Sequence, residues 1–351
     1  MKNRFRAGML FALSVLAAAL PLMGVPAANE KEKEPEKFFS EYVGLNDDEI
    51  GRIRSGNAVA KIVESPTPDE VYVFGSVYVD STPERYLKFA SDIGALRKLP
   101  SYLAIQKFSD PPQLADLTGF TLDDEDIKHL KSCEPGRCEI QLPSEAMDEF
   151  KRSVDWSAPD VADRVNRLAQ KMALEALLGY IHGGNEALGT YRDKHHPAVV
   201  ADTFQTLIGR SKAIPVYLPA LDHYLLEYPK ANSDGIESQF YWEKVNFGLK
   251  PTLRMVQAIV YRHKNSANPA YAIAVKQLYA SHYFETALDL TVCVPDQERS
   301  GMYVITLKGS SQAGLTGFKG GIVRKVAVDK SRSSLERALG SIKQKLESQG
   351  D

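Results

Sequence analysis

Val71-Tyr72-Val73-Phe74-Gly75-Ser76-Val77-Tyr78-Val79-Asp80-Ser81-Thr82-Pro83-Glu84-Arg85-Tyr86-Leu87 is the stretch on which the reading of this chain turns. Val71, Val73, Val77 and Val79 alternate with Tyr72, Phe74, Ser76 and Tyr78, so β-branched and aromatic side chains occupy both registers. That pattern predicts a strand partly covered on both faces. Ser81-Thr82-Pro83-Glu84 then supplies a capping hydroxyl, a proline suited to the first helical turn and an acid near the positive helix end. The helix it opens sets Tyr86, Phe89, Ala90 and Ile93 along one side.

Downstream, Tyr102 to Phe108 reads as a second strand, followed by loops rich in proline and acid. From Ser157 the character changes. Ser157-Ala158-Pro159-Asp160 gives a start signal with an acid three residues after a serine, and the helix it opens carries Val161, Val165, Leu168, Met172, Leu177 and Ile181 until Gly183-Gly184 stops it. Further helices are expected over Pro197 to Ile208 and near Leu218 to Leu226. The period then returns to two: Thr252 to Arg262, Ala270 to Val294 in two pieces, and Met302 to Lys308 read as successive strands. An amphipathic helix after Asp329 closes the chain, with Leu335, Leu339, Ile342 and Leu346 at spacings of four, three and four.

The amino-terminal end reads as a secretory signal peptide over residues 1–27. Lys2, Arg4 and Arg6 precede an apolar run too short to span a bilayer, and Val25-Pro26-Ala27 offers a cleavage site after Ala27. Cleavage would leave 40 basic and 45 acidic residues, a formal charge of −5, which argues against a nucleic-acid partner. No later run is long enough to cross a membrane, so no integral segment is expected after cleavage. Residues 28–65 begin with Glu30-Lys31-Glu32-Lys33-Glu34 and read as a charged flexible leader, with a short helix around Asp47 to Arg54; 66–351 reads as a single domain.

An exported chain meets oxidising conditions, which frames Ser132-Cys133-Glu134-Pro135-Gly136-Arg137-Cys138. Pro135-Gly136 suits the centre of a type II turn, so Cys133 and Cys138 can face each other and close a structural disulfide. A zinc knuckle would need two more ligands, yet Cys293 is remote and His129 is the only nearby histidine, and a redox pair would favour two intervening residues rather than four; these stay as the alternatives. Cys293, in Leu-Thr-Val-Cys-Val, reads as a buried free thiol.

Val79-Asp80-Ser81-Thr82-Pro83-Glu84-Arg85-Tyr86-Leu87 through Ala90-Ser91-Asp92-Ile93 resembles the opening of the START-like superfamily, where a strand runs into a small-x-Pro-Glu helix start. Gly320-Gly321-Ile322-Val323 and the helix after it are similar to that superfamily's last strand-to-helix passage. The resemblance covers about half of the mature chain and implies an α+β fold. A curved antiparallel sheet would grip a long carboxy-terminal helix and leave a cavity for an apolar ligand. Two features depart from the family: a mainly helical insertion over about residues 110–241, and the cysteine hairpin.

Candidate site residues follow from strand faces. Arg254, a guanidinium on the apolar run Thr-Leu-Arg-Met-Val, must find a carboxylate, a phosphate or water, and a structural ion pair is its plainer use. Leu253, Met255, Phe284, Leu288 and Leu290 are the expected pocket lining, with His282 nearby. His282 and Glu285 would lie on opposite faces of a regular strand, so pairing them needs a bulge or a turn. Asp193-Lys194-His195-His196 lacks a metal-ligand spacing, Gly317-Phe318-Lys319-Gly320-Gly321 lacks a phosphate-loop context, and no serine-nucleophile motif occurs. The expectation is a periplasmic or secreted protein that binds an apolar or lipid-like molecule without a metal or cofactor. The alternatives are a non-catalytic module that docks a partner through its insertion, or a hydrolase-type enzyme using His282. Mass spectrometry of the exported protein should show the mass gain of one reduced disulfide on treatment with thiol; free thiols at Cys133 and Cys138 would restore the metal and redox readings.

Overall fold

The computed structural model describes residues 35–65, 67–98, 101–211, 213–246, 250–263, 270–312 and 317–348, all within one compact unit, Glu34–Asp351. The signal-peptide reading and the Glu30–Glu34 charge run lie outside them.

From Pro35 the stretch read as a flexible leader is folded. A short helix α1 (Pro35–Phe38), a wide turn over Phe39–Val43, α2 (Asp47–Arg54) and β1 (Val59–Val63) follow one another. Asn46 caps α2 in a reciprocal box with Glu49, each side chain bonding the other's backbone N–H at 2.9 Å. The apolar positions are sparse but almost all buried: Phe38, Phe39, Val43, Ile50 and Ile53 pack on Phe74, Tyr78 and Tyr303.

β2 (Glu70–Val79) runs into α3 (Pro83–Ala90) as its sequence predicts, with Thr82 as the cap and Pro83 in the first turn. One turn of helix, α4 (Ile93–Leu96), and β3 (Tyr102–Lys107) come next. The insertion holds α5 (Asp124–Leu130), α6 (Ser144–Ser153), α7 (Val161–Gly183), the two-residue strands β4 (Thr190–Tyr191) and β5 (Ala198–Val199), α8 (Val200–Arg210), α9 (Ala213–Tyr217) and α10 (Pro219–Glu227). The Ser157 capping box does not form. Ser157 instead bonds Asp155, and Asp160 takes the Arg164 guanidinium at 2.7 Å.

β6 (Ile236–Val245), β7 (Thr252–His263), β8 (Ala270–Ala280), β9 (Phe284–Pro295) and β10 (Met302–Gln312) complete an eight-stranded antiparallel sheet in the order β1-β2-β10-β9-β8-β7-β6-β3. The last helix, α11 (Gly317–Ser348), starts well before Asp329. Gly320-Gly321-Ile322-Val323 therefore lie within a helix, not in a final strand and turn as read from sequence. Glycine's low helix propensity, about 1 kcal/mol per residue, is overridden here by the continuous helix.

Period-two alternation gives the sheet two apolar faces. On the first, Val71, Val73, Val77, Cys293 and Val304 pack against Tyr86 and Leu87 of α3 and Leu335, Leu339 and Leu346 of α11. Gly75 lies directly beneath α11: a Cβ there would come within 2.7 Å of Leu339 Cδ1, so only glycine allows this approach without displacing leucines. The second face is covered in three parts. The segment before β1 covers β2 and β10, α8 to α10 cover Ile259, Ala274, Leu288 and Leu290, and α7 covers Leu253, Met255 and Trp242.

The insertion is stapled by the Cys133–Cys138 disulfide, both cysteines buried among Ile140, Met147 and Phe150. Gly136 has φ 83° and Arg137 N–H donates to the Glu134 carbonyl at 2.9 Å, so the Pro135-Gly136 turn is made. Cys293 is a buried free thiol, as read. Since Leu339 is fully buried between α11 and the sheet, Leu339→Ala should lower unfolding free energy by about 2–5 kcal/mol, read as a shifted urea midpoint at unchanged slope.

Candidate functional site

The α11 face is covered unevenly. α11 and α3 pack over the β1, β2, β10 and β9 side, and a cavity of about 420 Å³ remains beside them, bounded by α3, α4, β3, β6, β7 and β8. Its floor follows from strand alternation: Val256, Ala258 and Val260 of β7 and Ile273 and Val275 of β8 all point to this face. The facing register of β6 is polar, so Glu237, Gln239, Tyr241 and Glu243 form one wall. Leu87 and Ile93 close the other.

Two ion pairs brace the polar wall. Glu237 accepts from the Arg262 guanidinium at 2.6 Å, and Glu243 from Arg254 at 3.0 Å, each pair between directly neighbouring strands. Glu243 and Arg254 are both buried, and burial pushes the Glu243 carboxyl above its ordinary range while the guanidinium pulls it back. Arg254 thus has the structural carboxylate that its sequence setting demanded. Asp289 and Lys308, paired at 2.5 Å on the same face, add to the field at Glu243.

The other predicted lining residues do not join it there. Leu253 and Met255 flank Arg254 in sequence and face the opposite side, in the core with Phe120, Trp242 and Leu278. Leu288 and Leu290 also lie on that second face, under α8 to α10 with Phe204 and Leu221. Phe284 is half-buried at the start of β9, its carbonyl accepting the Gln277 side-chain N–H at 3.0 Å. The expected shared wall of Arg254, Leu253, Met255, Leu288 and Leu290 is therefore split between faces.

His282 sits in the β8–β9 turn, where Tyr283 has φ 67°, the left-handed region rare for a bulky residue. It is 4% exposed, with Nε2 donating to Asp126 Oδ2 at 3.1 Å and Nδ1 3.1 Å from the Glu139 carbonyl. Lys250 Nζ lies 2.5 Å from the other Asp126 oxygen. Burial raises the Asp126 carboxyl, but the His282 and Lys250 contacts outweigh it and hold it below the ordinary range. Glu285 is a bulged residue bonded by Ser311 at 2.9 Å, so His282 pairs with a carboxylate 156 residues away instead of its neighbour. Asp193 is the buried member of its cluster, while His195 and His196 are exposed; burial pushes Asp193 above the usual carboxylate range. Among the described residues no three of His, Cys, Asp or Glu gather to hold a metal.

A buried lysine, like Asp126 and Glu243, escaped the sequence reading. Lys276 is fully buried on the second face, its Nζ donating to Tyr180 Oη at 3.1 Å and to Asn185 Oδ1, 4.1 Å from the centre of the Phe204 ring. Burial holds its amine well below the ordinary lysine range. Its signal is positional: it continues the apolar register of Ala272 and Ala274.

No protein-family model matches the chain, and a search of the curated proteins found no match.

The two buried aspartates near His282 predict opposite pH dependences. Asp126, lowered in the fold, stabilises above about pH 4, where an unfolded aspartate is ionised, and loses that contribution as pH falls through its folded value. Asp193, raised, contributes most at acid pH and loses it as pH rises through its folded value. Asp126→Asn should cost stability at neutral pH and make the acid decline shallower, whereas Asp193→Asn should make that decline steeper. Urea unfolding across roughly pH 3 to 7 checks both, and a shift in the same direction for the two variants would contradict the assignment.

Proposed function

We propose that this is an exported small-molecule-binding protein of the helix-grip, START-like kind, which holds an amphipathic ligand in the cavity beside α3. The observation that carries the reading is the cavity itself. About 420 Å³ lies within the range of small-molecule pockets, with valines, an alanine and an isoleucine beneath and one polar wall. An apolar body would lie on Val256, Ala258 and Val260, and a polar group would meet the β6 wall at Gln239 and Tyr241.

Several features support the wider resemblance. The fold is α+β, its antiparallel sheet is large, and the carboxy-terminal helix packs on the same face as the cavity. The strand β2 running directly into a Thr82-capped helix with Pro83 in its first turn supports the likeness to the superfamily's opening. Export is supported by the signal-like amino terminus and by the disulfide, and no helix among the described residues is long and apolar enough to cross a membrane.

Ala258 is half-buried in the floor, so Ala258→Phe should fill the cavity without deleting a packed side chain. Native mass spectrometry of protein purified from its own source should show a retained small molecule that Ala258→Phe loses. Wild-type protein that carries none and takes up no amphipathic probe would refute the reading.

A further inference from the structure

α7 carries Ala169, Ala173 and Ala176 at spacings of four and three, one stripe along the helix. Along it runs a second and larger cavity, about 640 Å³, between α6, α7 and the second face of the sheet. It opens at the seam between two cores, one around Leu177 and Met255, the other around Phe150 and the disulfide. A β-bulge contributes a wall: Met255 pairs with Tyr279 and Val256 with Gln277, which leaves Leu278 extra, and Leu278 and Tyr279 both line the cavity.

We propose that this cavity is a second ligand site, separate from the one beside α3, that takes an uncharged lipid-like molecule such as a long-chain alcohol. Its volume falls in the ligand-pocket range. The lining is mostly aliphatic and aromatic, so burial of a hydrocarbon chain supplies the affinity. Charge sits at the edge: Glu145, Glu149 and Glu175 against Lys171. Lys171 lies 3.9 Å from Glu175, and Glu149 is paired with Arg152, so among the described residues each cation at this edge already faces a glutamate. A net negative rim repels an anionic headgroup, a penalty that an uncharged one does not meet.

The test is displacement of the fluorescent probe N-phenylnaphthylamine by hexadecanol and by palmitate. It is run on the full chain and on Ala173→Phe, Ala176→Trp and Ala258→Phe, each checked by thermal unfolding. Ala173 is buried, whereas Ala176 is exposed and keeps the test available if the first variant does not fold. Ala258→Phe, whose filled cavity leaves only the α7 site, should keep a hexadecanol-binding step, and the two α7 variants should lose about ten-fold or more of the affinity of that step; palmitate should bind in that step about ten-fold or more weakly than hexadecanol. Unchanged hexadecanol affinity in a folded α7 variant, or equal binding of the two amphiphiles, overturns the proposal. A loss confined to Ala258→Phe assigns the alcohol to the cavity beside α3, which overturns this site and leaves the first reading standing.

Discussion

An eight-stranded antiparallel sheet that is apolar on both faces cannot stand with one face in water, and the rest of this molecule answers that constraint. At roughly 25 cal/mol per Å² of apolar surface, a sheet face left bare would forfeit more than the usual net stability of a domain. β7 makes the demand explicit: Val256 and Val260 point one way, Leu253, Met255, Ile259 and Tyr261 the other. α3 and α11 cover part of the first face, and the second takes the segment before β1, α7, and α8 to α10. The insertion is thus a structural lid before it is anything else. Both cavities lie where a cover is incomplete: one beside α3, one where the alanine stripe of α7 falls short of the sheet.

Charged groups inside this sandwich are met in three ways. Glu243 and Arg254 neutralise each other across adjacent strands. Asp126 is shared between His282 and Lys250, and that junction joins α5 to the β8–β9 turn, while Gln141 N–H donates to the Ser281 carbonyl at 2.8 Å. Lys276 meets no carboxylate among the described residues and is held by a phenol, an amide and a carbonyl beneath Phe204. Buried polar contacts of this kind add little net stability, because desolvation offsets them; what they fix is the seating of the insertion on the sheet.

The element sequence was legible where local chemistry decides it. The Val71–Val79 alternation, the Thr82-Pro83 start, the 3.6 period of α7 ending at Gly183-Gly184 and the four strands from Thr252 all stand as the residues indicate. The choice between faces was not legible. Alternation tells that Leu253 and Arg254 point apart, but with both faces apolar it cannot say which one meets α11 and which the insertion. The bulges at Leu278 and Glu285 leave no mark in composition, yet one builds a cavity wall and the other leaves Glu285 out of the ladder beside Ser311. The Asp126–His282 contact spans 156 residues, beyond any local pattern. Around Pro35–Ile53 the charges diluted the apolar signal, although Phe38 and Phe39 carried it.

The alanine stripe of α7 also determines where the molecule is soft. Volume left between two packed cores is the volume that water reclaims when a fold is compressed, and pressure favours states that eliminate such voids. The larger hollow lies at the seam between the disulfide-stapled core and the sheet, so packing between α6, α7 and the sheet is incomplete along one plane. That plane is where α6 and α7 have the least to hold them against the sheet. A molecule lodged there would act as ballast, stiffening the whole by occupying space that the side chains leave unfilled.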